Sequence, residues 1–192
     1  MEDILKENLE NKHHGLLWGV RRSIRYHSHR QDFFEQCNTW SNVIALLFGS
    51  GAIFTILKDY PSIAITLAAM VTVVSTVNLV INTTRKAQVH RDFYKQFHEL
   101  EATLTAGSPT EEMVNKATVK RLEIEAEEPP VLQVLDILCH NELLRSKGYD
   151  PVSDASQYYK VSPLQRAFAQ IVDLCPGSID KVGTSSPKPS AC

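Results

Sequence analysis

No charged side chain occurs between residues 36 and 57, about 22 positions, nor between residues 60 and 84, about 25 positions. About 20 apolar residues suffice to cross a bilayer. The mean hydropathy of the whole chain, -0.17, hides these two gaps because charge is crowded everywhere else. Other absences narrow the reading further. The formal charge of -2 gives no basic excess, so nucleic acid is not an expected partner. The four cysteines, Cys37, Cys139, Cys175 and Cys192, have no metal-ligand spacing and no secretory context, and are expected to be free thiols. No Gly-rich phosphate loop, nucleophile–base pair or metal-spaced cluster stands out, so no catalytic residue, metal or cofactor is expected. The start, Met1-Glu2-Asp3, is acidic and lacks the basic region and early apolar run of a cleaved signal peptide, so insertion is expected to be directed internally.

What is present fits an all-α membrane protein built on a two-transmembrane hairpin. The expected spans are residues 41–57 and 63–81, separated by Lys58-Asp59-Tyr60-Pro61-Ser62. A pair of soluble core helices would show a polar face at helical spacing, and neither segment has a wide one. Pro61 suits the first turn of the second helix, and so short a link makes the two helices antiparallel neighbours. Arg21, Arg22, Arg25 and Arg30 lie upstream, and Arg85, Lys86, Arg91 and Lys95 downstream, whereas the connecting loop holds Lys58 offset by Asp59. Basic residues favour the cytoplasmic side, so both termini are expected in the cytoplasm. Trp40 and Tyr60 fall at the two interfaces, where amphipathic rings are favoured.

Residues 21–35 and 85–105 lack Gly and Pro, which predicts long helices continuing past the membrane as a stalk. Equal rise on antiparallel arms sets residues whose numbers sum to about 119 opposite each other, Glu35 near Arg85 and Tyr26 near Phe93. The organisation expected is an N-terminal segment over 1–20, the hairpin with its stalk over 21–106, a helical region over 107–148, a short helical region over 149–175 and a disordered tail over 176–192. Within this plan, Ser108-Pro109-Thr110-Glu111 reads as a capping box with proline at the first helical position. Helices follow to about residue 125, over 131–147, and from Ser162-Pro163 to Leu174. Asp136 excludes a third span.

In the second span, Thr72, Ser75, Asn78 and Asn82 form a narrow polar stripe. It would line a water path in an oligomer, or serve interhelical hydrogen bonds. Ala45 and Gly49, four apart, offer a small-residue surface for close helix packing. The basic residues Arg21, Arg22, Arg25, Arg30, Arg85 and Lys86 form an inner-leaflet cluster that would anchor orientation through anionic lipid, and Arg25, Tyr26, His27 and Arg30 would alternatively hold a trigger ligand. Cys139, His140 and Glu142 look like a catalytic group, but adjacent helical positions point in different directions.

The run Arg21-Arg22-Ser23-Ile24-Arg25-Tyr26-His27-Ser28-His29-Arg30 leading into a span resembles the SLATT family, two-transmembrane effectors associated with bacterial nucleotide-second-messenger systems. The run Ile124-Glu125-Ala126-Glu127-Glu128-Pro129-Pro130, with Leu135-Asp136 and Cys139-His140-Asn141-Glu142-Leu143, is also similar to the segment after the hairpin in some members. The resemblance covers residues 13–148. It implies an effector that oligomerises and opens or disrupts the inner membrane to restrict phage. Unlike fused arrangements, this chain has no nucleotide-binding or nucleotide-synthesising module, so the trigger is expected from a separate sensor or signal-producing protein. The competing class is a membrane-anchored adaptor whose hairpin serves as an anchor alone.

Overall fold

A computed structural model describes residues 1–50 and 58–183. Of the expected disordered tail over 176–192, residues 184–192 lie outside the described residues, as does the second half of the first span, whereas Pro176–Ser178 form a 3-10 turn and Lys181 bridges to Tyr159. The described residues are helical, with no strands. The helices are α1 (Glu2–Phe48), α2 (Pro61–Ile81), α3 (Thr83–Thr105), α4 (Glu111–Glu127), α5 (Gln133–Ser146) and the short α6 (Pro163–Phe168). The N-terminal 20 residues, set apart in the sequence reading, belong to the 47-residue α1, which contains no proline to interrupt it.

The chain divides into two compact units, one of residues 1–28 with 92–192 and the other of residues 29–91. In the first, α3, α4 and α5 contribute to a core with the N-terminal part of α1. Val20, His27, Phe97, Leu104, Ile124, Val134, Cys139, Leu143 and Leu144 are its most enclosed side chains. Burying residues of this size contributes about 1.5–3 kcal/mol each before chain entropy is counted. The Arg121 guanidinium of α4 lies over Gly19 of α1, 2.6 Å from where a Cβ would stand.

Residues 149–183 fold with few regular elements and are held by side-chain bonds to backbone. Asn141 receives the Tyr159 N–H at 3.0 Å and donates to the Tyr159 carbonyl at 2.8 Å. The Gln165 amide donates to the Leu174 carbonyl at 3.0 Å. Tyr159 and Lys181 form an isolated antiparallel bridge.

In the second unit, α1 and α2 lie side by side, with Asn78 Nδ2 donating to Asn38 Oδ1 at 3.3 Å. Phe34 is buried against the His90 ring, centroids 5.8 Å apart, with the Arg30 guanidinium 4.6 Å and the Lys86 ammonium 5.5 Å from its own. Cations over an aromatic face add about 0.5–2 kcal/mol, more as water is excluded.

Several local expectations are corrected. The ion-pair partner of Glu35 is Arg91, at 2.5 Å, six residues beyond the expected neighbour Arg85. Phe93 stacks on His27, the neighbour of the expected Tyr26, because an offset of one residue turns a helix by about 100°. The cap of α4 is Thr110, whose hydroxyl accepts the Met113 N–H at 3.2 Å, so Pro109 precedes the cap instead of opening the helix. The helix begun by the Ser162 capping box ends at Phe168, six residues early, where the chain turns back towards Gln165. Cys37 and Cys139 are free, but Cys175 is disulfide-bonded; spacing along a chain does not report which thiols a fold brings together.

Candidate functional site

Pro61 occupies the first turn of α2, whose 21 residues are almost entirely apolar. None of them is buried. Leu79 and Val80 are 79% and 78% exposed, and Ile65, Met70 and Val73 are also exposed. Among the described residues, the stretch from Pro61 into α3 is the one helical segment long and apolar enough to cross a membrane, and its most apolar 18 residues have a mean hydropathy of 2.1.

The polar stripe on this helix is not uniform. The Thr72 hydroxyl donates to the Ala68 carbonyl at 2.8 Å, which satisfies the group within its own helix. Ser75 is half-buried. Asn78 is the member that reaches another helix, through Asn38, and it also accepts from the Thr83 hydroxyl. Asn82 lies beyond the end of α2 in left-handed conformation, φ 53°. Its N–H bonds the Asn78 carbonyl at 3.0 Å, and its Oδ1 accepts the Arg85 N–H at 3.3 Å. Asn82 thus closes one helix and opens the next, and the stripe ends there.

Ala45 is half-buried and Gly49 exposed. A Cβ on Gly49 would strike the Ala45 carbonyl, which already accepts the Gly49 N–H at 2.8 Å. Among the described residues no other element approaches within 4 Å of that position. Gly49 therefore serves the closure of its own helix end.

The basic residues disperse over several different partners. Arg21 Nε pairs with Glu101 at 2.6 Å, and Arg22 Nε with Asp136 at 3.1 Å. Burial raises the Asp136 carboxyl above its ordinary value, with Arg22 pulling the other way. Arg25 donates to the Ser146 hydroxyl at 2.7 Å and to the Arg21 carbonyl at 3.3 Å. Arg30 and Lys86 lie over Phe34, and Arg85 is exposed.

The sequence reading set Tyr26 and His27 among contacts for a ligand or lipid headgroups, whereas both side chains are enclosed. The His27 ring stacks on Phe93 and Phe97, at 5.2 and 5.5 Å, and Nε2 lies 2.9 Å from Glu128. Next to it, the Tyr26 hydroxyl accepts the Leu132 N–H at 3.0 Å. Tyr26 and His27 thereby fasten both ends of the Glu128–Leu132 linker. Both residues lay in the basic run, but nothing local signals a partner about 100 residues away. Cys139 is enclosed and burial pushes its thiol up, the opposite of an activated nucleophile.

No protein-family model, no curated protein and no solved structure matches this chain.

Proposed function

We propose that this chain is an inner-membrane protein whose two spans form a hairpin in the bilayer, with both termini cytoplasmic. In this reading it acts as an effector that oligomerises and breaches the membrane on activation. The observation that carries the membrane assignment is the bare apolar surface of α2. A helix this apolar would normally be enclosed by protein in a soluble domain, yet none of its residues is buried. Leaving such side chains in water forfeits about 1.5–3 kcal/mol apiece, so lipid is the solvent that fits them.

The sorting of Arg and Lys to either end of the two uncharged stretches supports the orientation. The effector role rests on the likeness of the Arg/Tyr/His run and the post-hairpin segment to SLATT proteins, and on the polar stripe. Activation by a separate sensor or signal-producing protein belongs to the same proposal. In the assembled form, Thr72, Ser75 and Asn78 would face a water path, with Asn78 exchanging its bond to Asn38 for water.

Controlled expression in bacteria with a membrane-potential dye tests the effector. Activated wild-type protein should depolarise the cells, and Ser75→Leu with Asn78→Leu should abolish depolarisation while leaving the protein in the membrane fraction. Full depolarisation by that double variant would remove the pore assignment. The adaptor reading draws on a different feature: Leu164, Phe168, Ile171 and Val172 leave apolar surface exposed near α6, suited to a protein partner. An unchanged potential with stable capture of a cytosolic partner would favour it.

A further inference from the structure

An open cleft of about 550 Å³ lies within the first unit, bounded by α1, α3 and the end of α5. Arg21, Arg25 and Lys147 line it, with Glu101 as its single acid. Arg21 is held by Glu101 at 2.6 Å, so these two cancel. Arg25 is engaged by a hydroxyl and a backbone carbonyl, both neutral. A guanidinium has five N–H donors, and two contacts leave some of them to offer. No carboxylate among the described residues pairs with Lys147. Beyond the Arg21–Glu101 pair, the lining thus presents two positive charges, Arg25 and Lys147.

The cleft also has walls suited to an organic body. Tyr94 and His98 line it, with their rings 4.5 Å apart. A neighbouring hollow of about 300 Å³ shares Arg21 and Lys147 and is walled by Trp18 and Tyr149. Cations on a common rim, with aromatic surface to either side, make a receptor for a compact anion carrying a larger group.

We propose that this cleft binds a small organic phosphate ester, with Arg25 and Lys147 making the charge contacts. The phosphate would reach them from a soluble ester or from a lipid headgroup. Binding of a soluble ester is independent of whether α2 lies in lipid, whereas binding of a headgroup rests on that reading. A purely structural account also exists: two cations near the C-terminal end of α5 complement its dipole.

Titration calorimetry and thermal unfolding of the full chain in neutral detergent, at low salt, separate these. Adenosine 5′-monophosphate and inorganic phosphate serve as soluble probes, and nanodiscs with and without phosphatidylglycerol serve as the lipid probe. Saturable binding of the soluble ester, or stabilisation specific to phosphatidylglycerol, supports the site and identifies the source. Arg25→Gln or Lys147→Gln should then weaken binding of the effective probe about tenfold each, and Arg25→Lys less. Lys6→Gln, an exposed site on α1, controls for net charge and should leave binding unchanged. Circular dichroism verifies that each variant is folded. Absence of binding to every probe, equal weakening by Lys6→Gln, or a loss of Tm in Arg25→Gln and Lys147→Gln without any probe-dependent difference would overturn the proposal.

Discussion

His140 sits between two groups that suit its neutral form. Trp18 Nε1–H points at Nδ1 from 3.5 Å, and Nε2 lies 3.3 Å from the Gln157 carbonyl. Nδ1 therefore accepts and Nε2 carries the proton. Burial lowers the proton affinity of the ring, and the Gln157 carbonyl partly opposes that. The unfolded chain takes up this proton at the ordinary histidine value, about 6.5, before the folded chain does. The stability His140 contributes is thus present above that pH and lost as pH falls through its lowered folded value. The urea midpoint should fall between about pH 7.5 and pH 5, and His140→Gln should flatten part of that slope. Identical slopes in the two proteins would remove His140 from the acid response. Spacing at His140 spoke against a site with Cys139 and Glu142, and it did not reveal the Trp18 contact, 122 residues away. The Asp173 carboxylate is similar: it accepts the Gln133 and Val134 N–H groups, each at 2.9 Å, and caps α5 where Leu132 offers no side-chain cap. Such partners are written in the fold and not in the local sequence.

Elements were more legible than partners. Absence of proline foretold the long helices, Pro61 marked the start of α2, and Gly107 lies just past the end of α3. The junction at Asn82 was missed because the residue was read as part of a polar stripe. Yet the signal existed: asparagine adopts the left-handed conformation more readily than other residues with a Cβ, apart from aspartate. Asn82→Ala should destabilise the folded protein by about 1 kcal/mol, while Asn82→Gly should stay within a few tenths. Thermal unfolding in detergent measures both, and equal losses would mean that backbone conformation is not what asparagine supplies. The premature end of α6 has a different origin. Its capping box was readable at Ser162 and Gln165, but the same Gln165 also draws the Leu174 carbonyl back, a return that helical periodicity does not encode.

At the scale of the molecule, the sequence disclosed a chain divided between oil-like and water-like stretches, and the exposed apolar face of α2 is consistent with that division. Val73 lies near the middle of α2. Val73→Lys should oppose insertion by about 3 kcal/mol, raising the fraction released from membranes by alkaline carbonate, whereas Val73→Leu should not. Equal retention of both variants would mean that α2 does not sit in the hydrocarbon interior. The compactness of the first unit was much less legible, since residues 149–183 are secured by Asn141, Gln165 and backbone groups instead of a periodic apolar face. The linker after α4 shows what such non-local fastening does. Glu128 and Leu132 are both extended, Pro129 and Pro130 stiffen the chain between them, and adjacent residues of α1 grip the two ends. A rod pinned in this way passes on a displacement instead of absorbing it. A shift of Tyr26 and His27 is thereby delivered to the first turn of α5 with little slack.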